Sequence, residues 1–248
     1  MRPRRHLIAA TRLVRVLAHI LHGIWIIHTR LARMSEAEHQ AAVRHWARGF
    51  LHRAGITLRV AGEPPAGQAG LIVANHISWL DIPTLHAAHY CRFISKSDVK
   101  GWPLLGTLSD AAGTLYLERT SRRDAARVVQ GMAERLRAGD LLAVFPEGTT
   151  GDGRTLLPFH ANLLQSAIEA DAPVVPVALR FADGRTGATS FAPSYTGDEV
   201  LIGSLWRTLG ASSIVAVVRY GTPQRAQGRD RRAWAQDLHA EVDRLRGV

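Results

Sequence analysis

The sequence predicts an α/β fold: a mixed, partly parallel sheet flanked by helices, preceded by an N-terminal segment of two amphipathic helices. Three observations carry this expectation. Seven short runs rich in Val, Ile and Leu follow one another between residues 56 and 221. Helical patterns lie between several of them, and strands that alternate with helices form layered, partly parallel sheets. Before residue 56 the pattern differs, with apolar residues recurring at helical spacing over two long stretches. At 46% hydrophobic residues in 248, the chain can bury a sizeable core, which excludes a disordered protein.

The first stretch opens with Arg2, Arg4 and Arg5 and runs through "HLIAATRLVRVLAHILHGIWIIHTR". No small-residue cleavage site follows a clean apolar run, which argues against a signal peptide. Arg12, Arg15, His19 and His22 interrupt the run, which argues against a simple transmembrane helix. Their spacing of 3, 4 and 3 puts all four on one helical face. Leu13, Val16, Leu17, Ile20, Leu21, Ile24 and Ile27 cover much of the remainder. A wide apolar face opposite a basic stripe describes a helix lying in the membrane interface, its arginines among anionic headgroups. The alternative is a helix that packs its apolar face on the rest of the chain. The second helix is expected from about Ser35 to Arg53, with Ser35 and Glu38 forming a capping box and Ala42, His45, Trp46 and Phe50 near one face. These boundaries divide the chain into a membrane-association segment, residues 1–54, and a main domain, residues 55–248.

The expected strands are "ITLRVAG", "GLIVANH", "CRFISK", "GTLYLER", "LLAVFPE", "PVVPVALRF" and "SIVAVVRYG". Helices are expected over Ile82–His89, Ser121–Arg137, Asn162–Ala170 and Arg229–Leu245. "GEPPAGQAG" reads as a surface turn, and the polar, Gly-rich stretch Ala182–Gly197 as a loop. There is no internal repeat.

Lys+Arg 31 against Asp+Glu 21 gives a net charge of +10. Such a surplus suits an anionic partner: nucleic acid, a membrane surface or a phosphorylated substrate. Nucleic acid is disfavoured, because no sequence signature of a nucleic-acid-binding module is present. The single cysteine, Cys91, excludes an internal disulfide and a multi-cysteine zinc site; it reads as a small buried hydrophobe. His86 and His89 are the nearest companions for a metal site on His76 and Asp81, but their spacing fits a helix face better. No metal is expected.

Three stretches carry chemistry. In "GLIVANHISWLDIP" a buried strand leads into His76, at the end of the sheet where open α/β folds place their sites. Asp81 begins a helix with Pro83 in its first turn. A strand-to-helix turn can bring the two together, the aspartate fixing the imidazole tautomer and leaving the other ring nitrogen to take a proton from a hydroxyl. Ser78 reads as a turn-stabilising hydroxyl rather than a nucleophile. In "AVFPEGTTGDGRTLLPF" a strand ends at Phe145, and Gly148 permits close backbone approach, so N–H groups there could meet an anion or oxyanion. Glu147 would hold basic or backbone groups in place, or bond a substrate hydroxyl. In the third stretch Lys96 and Arg119 stand at strand ends; converging on His76, they would bind a phosphate or carboxylate.

Together these stretches resemble the PlsC-like lysophospholipid (1-acylglycerol-3-phosphate) acyltransferases. The NHxSxxD motif is matched by Asn75, His76, Ser78 and Asp81. Lys96, Pro103, Gly106, Gly113 and Arg119 match the second motif, with Asp98 for the usual Glu and Tyr116 for the usual Phe. Phe145 to Thr149 match FPEGT, and Pro176 sits in the fourth, apolar motif. Thr150 replaces the arginine that ordinarily follows FPEGT, and His160 stands where Lys or Arg is frequent. Both changes remove fixed charge from the headgroup site and give weight to other lysolipids, such as lyso-ornithine lipid.

The resemblance implies transfer of a fatty acyl group from acyl-CoA or acyl carrier protein to a lysolipid hydroxyl, 1-acyl-sn-glycerol-3-phosphate first among acceptors, with no cofactor. His76 would be the base and Asp81 its orienter. Lys96 and Arg119 would bind the acceptor's anionic group, and Glu147, Gly148 and Thr149 would shape the acceptor pocket. The bilayer would be the other partner, with the protein peripheral or monotopic on the cytoplasmic face of the inner membrane. A non-catalytic membrane-binding protein is the rival; it predicts loss of one of His76, Asp81, Glu147 or Arg119, and all are present.

Overall fold

A computed structural model describes residues 2–65, 69–96, 100–117, 122–197 and 199–247. Helix α1 (Arg2–Arg30) turns through a short 3-10 segment into α2 (Glu36–Arg53). The expected capping box is formed: the Ser35 hydroxyl accepts the Glu38 N–H at 3.3 Å, and Glu38 accepts the Ser35 N–H at 2.8 Å. The two helices run antiparallel and pack on the sheet. Ala9, Val16, Ala47, Phe50 and Leu51 share one apolar cluster with Ile56, Leu80, Phe181 and Ile214.

The four basic residues of α1 do not form one exposed stripe. Arg12 turns inward and donates to the carbonyls of Leu209 and Ala211 at 2.9 and 2.6 Å. His19 is buried, its ring stacked on Trp46 and its Nε2–H donating to the Trp46 carbonyl at 2.9 Å. Arg15 and His22 stay exposed. The cause is tertiary: the C-terminal carbonyls of a helix lack intrahelical donors, and Arg12 supplies one. The helix that receives it lies far along the chain, so α1 alone could not reveal the contact. The outward face of α1 is instead apolar: Leu7, Val14, Leu17, Leu21 and Trp25 are 45–69% exposed.

The sheet has seven strands: β1 (Ile56–Ala61), β2 (Gly70–Ala74), β3 (Arg92–Lys96), β4 (Leu115–Leu117), β5 (Leu141–Val144), β6 (Val174–Asp183) and β7 (Ile214–Tyr220). Their order is β1-β7-β6-β2-β5-β3-β4. Neighbours are parallel except β6 and β7, as a mixed, partly parallel sheet requires. Every residue of β2 is buried, because its two faces are both covered. Leu71 and Val73 join the cluster beneath α5 (Arg122–Arg137), α6 (Gln165–Glu169) and α8 (Arg231–Arg246). Ile72 and Ala74 join the opposite cluster, with Leu85 and Ala88 of α3 (Asp81–Ala88). Cys91 is fully buried there.

Two helices were not expected. Helix α4 (Leu105–Ala111) is short, and α7 (Leu201–Leu209) follows directly on the Gly-rich loop. The helix expected over Asn162–Ala170 is a 3-10 turn, Ala161–Leu164, continued by α6.

Candidate active site

Strands β2 and β5 are adjacent and parallel, so their carboxyl ends deliver His76 and Phe145–Gly148 to one edge of the sheet. Asn75 secures the exit of β2. Its side chain donates to the Leu179 carbonyl at 3.0 Å and accepts the Leu179 N–H at 2.7 Å.

His76 Nδ1 lies 2.8 Å from Asp81 Oδ2. The same oxygen accepts the N–H of Ile77 at 2.6 Å and of Ser78 at 2.8 Å. Asp81 is the first residue of α3 and fully buried; no side chain caps the helix, and the Asp81 carboxylate reaches back onto the preceding loop. A carboxylate at Nδ1 makes that nitrogen the protonated one and leaves the Nε2 lone pair free. The His76 side chain is 18% exposed, so the ring is not sealed from solvent. Ser78 is no candidate nucleophile: its hydroxyl is buried, donates to the Pro193 carbonyl at 2.5 Å and accepts the Leu80 N–H at 3.2 Å.

Glu147 is bound to backbone rather than open to an acceptor. It is buried, with Oε1 accepting the His76 N–H at 2.6 Å and Oε2 accepting the Leu157 N–H at 2.9 Å. The Gly151 N–H donates to the His76 carbonyl at 2.8 Å, so both backbone polar groups of His76 are tied to the loop after β5. Burial raises the Glu147 carboxyl above its ordinary value, against the two backbone hydrogen bonds that lower it. A raised carboxyl contributes most to stability when protonated, and that contribution is lost as pH rises through the raised value. Urea unfolding of the parent and Glu147→Gln at a series of pH values is therefore expected to show the parent losing stability relative to the variant as pH rises from the ordinary carboxylate range.

Gly148 has φ +71°, a conformation that disfavours other residues. A Cβ there would also meet the His160 ring at 3.2 Å. The expectation that N–H groups of this turn face an anion needs one correction. The Gly148 N–H closes the turn itself, donating to the Phe145 carbonyl at 3.1 Å. The exposed Thr149 N–H has no protein acceptor among the described residues. His160, the departure from Lys or Arg, is exposed, and its N–H donates to the Pro146 carbonyl at 2.8 Å.

Lys96 ends β3, two strands from β2, so its backbone stands about 10 Å from that strand at the same edge. Its side chain lies outside the described residues, as do Asp98 and Arg119. Two residues contribute in ways the sequence did not suggest, one of them, Phe145, read only as a strand end and motif position. Phe145 stacks face to face on His76, with ring centroids 4.0 Å apart and planes at 8°. Arg246, near the C-terminus, is buried and donates to the carbonyls of Gly153 and Arg154 at 2.9 Å each, anchoring the loop that Glu147 grips. Among the described residues no group of three His, Cys, Asp or Glu side chains could hold a metal ion. His86 instead packs its ring edge on Phe93.

A His–carboxylate pair at the carboxyl edge of a mostly parallel sheet, beside a glycine turn from the adjacent strand, can take a proton from a hydroxyl. Residues 56–180 match the Acyltransferase family model, and the chain belongs to that family: it is an acyltransferase. It is 41% identical over 180 residues to the 1-acyl-sn-glycerol-3-phosphate acyltransferase of Neisseria meningitidis, covering 72% of this chain and 70% of that one. It is 38% identical over 203 residues to the lyso-ornithine lipid O-acyltransferase of Pseudomonas aeruginosa, covering 82% and 77%. The crystal structure of the 1-acyl-sn-glycerophosphate acyltransferase PlsC from Thermotoga maritima superposes with a TM-score of 0.71 at 18% identity, over 100% of this chain and 99% of that one. At that identity the likeness establishes the fold.

Proposed function

We propose that the protein moves a fatty acyl group from acyl-CoA or acyl carrier protein to the free hydroxyl of a lysolipid, without a cofactor. The observation that carries this is the His76–Asp81 pair, bonded through Nδ1 on a side chain that stays partly exposed. His76 takes the hydroxyl proton as the oxygen attacks the thioester carbonyl carbon. The C–S bond breaks, and the proton passes from the imidazolium to the departing thiolate. Asp81 steadies the imidazolium. The Thr149 N–H, without a protein acceptor among the described residues, supplies a donor to the developing oxyanion. Lys96 and Arg119 hold the acceptor's anionic group, and Glu147 acts on the pocket through the backbone it fixes.

The acceptor of first choice is 1-acyl-sn-glycerol-3-phosphate, and lyso-ornithine lipid is the second reading. The second is favoured by Thr150 and His160, which place no fixed charge beside the glycine turn. Purified protein in mixed micelles, offered both donors and lysophosphatidic acid, lyso-ornithine lipid and lysophosphatidylcholine in turn, separates them. Preferential ester formation on one acceptor identifies it; no ester on any of them overturns the proposal.

The site works at a membrane surface, on the cytoplasmic face of the inner membrane. Helix α1 is long and apolar enough to cross a bilayer by length and composition, but Arg12 ties its inner face to α7. The outward Leu17, Leu21 and Trp25 then lie in the interface. Full burial of such a side chain is worth about 1.5–3 kcal/mol, and these three are 45–60% exposed, so insertion gains about half of that for each. Replacing all three with Ser is expected to weaken binding to vesicles by about a hundredfold or more, as read by cosedimentation.

A further inference from the structure

The His76–Asp81 bond fixes the imidazole at one edge. It does not by itself fix the plane of the ring, on which the direction of the Nε2 lone pair depends. The Phe145 ring lies flat against that plane, 4.0 Å away and 8° from parallel. Phe145 is backed in turn by Phe93 of β3, at 5.7 Å and 21°. His86 closes the column edge-on to Phe93 at 5.0 Å and 79°. Phe93 and His86 are both buried. His86 and Asp81 belong to the same helix, α3. One short helix therefore holds the base twice: at its edge through a carboxylate, and at its face through two stacked phenyl rings.

We propose that Phe145 is a positioning residue for the base, setting the plane of the His76 ring and stabilising the imidazolium that forms when the acceptor hydroxyl gives up its proton. An aromatic face attracts a cation held against it, so the stack favours the charged imidazole over the neutral one. Among the described residues, the titratable groups around the column are Asp81 at the His76 edge, Glu147 on the His76 backbone, His160 against Gly148, His86 with Tyr90 behind Phe93, and Cys91 and Tyr220 in the same buried cluster. Burial pushes His86 down to about 4 and Tyr90 up to about 12. Neither adds charge behind the stack near neutral pH.

The test is Phe145→Leu, which keeps an apolar side chain and removes the ring, with Phe145→Tyr as the conservative variant. Titration of the His76 ring nitrogens by 15N NMR, assigned by the signals missing in His76→Asn, reads the base directly and apart from Glu147. Phe145→Leu is expected to lower the His76 titration midpoint by about half a pH unit, and Phe145→Tyr to restore it. The inference about rate rests on the acyl-transfer reading: kcat is expected to fall about tenfold in Phe145→Leu with KM little changed. The NMR titration does not depend on that reading, so the two can fail separately. An unmoved midpoint together with an unmoved kcat, in a variant that only melts earlier, would reduce Phe145 to core packing and overturn the proposal. Should Phe145→Leu not fold, Phe145→Met puts the same question.

Discussion

A His76→Ala variant is expected to lose acyl transfer by a factor of about 10²–10⁴ while keeping its fold. Positioned general bases contribute rate on this scale, and Ser78, the nearest hydroxyl, is engaged with the Pro193 carbonyl and out of reach. The fold should survive because the backbone contacts of residue 76, its N–H to Glu147 and its carbonyl from Gly151, do not involve the imidazole. Asp81 keeps two of its three donors, the N–H groups of Ile77 and Ser78. Kinetics alongside circular dichroism and thermal melting check both halves. A drop in kcat/KM accompanied by collapse of the fold would show that the ring is mainly structural.

Asp81→Asn should separate chemistry from stability more sharply still. All three donors converge on Oδ2. An amide oxygen in that place can accept the same backbone N–H groups but carries no charge to steady the imidazolium. Oδ1, by contrast, is buried with no partner among the described residues. The Asn nitrogen falls there without an acceptor, so folding stability is expected to drop by about 1–3 kcal/mol, while kcat falls by about 10²–10⁴, as loss of an orienting carboxylate does elsewhere. Asp81→Ala should cost more stability, because it strands the Ile77 and Ser78 N–H groups in the interior. Urea unfolding of the two variants, set against their kcat values, measures the separation. Equal losses of stability in Asn and Ala would contradict it.

The parts of this site carried by local chemistry could be read from the sequence. The buried run of β2, with His76 after it and Asp81 on the helix that follows, signals a base and its orienter. The glycine after Pro146 and Glu147 signals a turn, and its positive φ is the reason. What could not be read depends on distant partners. Glu147 could be read as holding basic or backbone groups or as bonding a substrate hydroxyl, and only the fold shows that the groups it holds are the His76 and Leu157 N–H. Arg12 and His19 share a helical face with Arg15 and His22. Their burial depends on the Leu209, Ala211 and Trp46 carbonyls, two of which lie about 200 residues away. The stack of His76 on Phe145 joins two strands that only the sheet order makes neighbours. Helix α7, unread because it follows a Gly-rich loop, receives Arg12 and so holds α1 down.

The proposed reaction is direct transfer from thioester to lysolipid hydroxyl, with His76 as the base. The measurement that tests it is the release of thiol from acyl-CoA, followed together with ester formation on a lysolipid in mixed micelles. Direct transfer requires one ester formed for each thiol released, release that depends on the acceptor, and loss of both in His76→Ala. Thiol release at the same rate without an acceptor, or ester formation undiminished in His76→Ala, would contradict it.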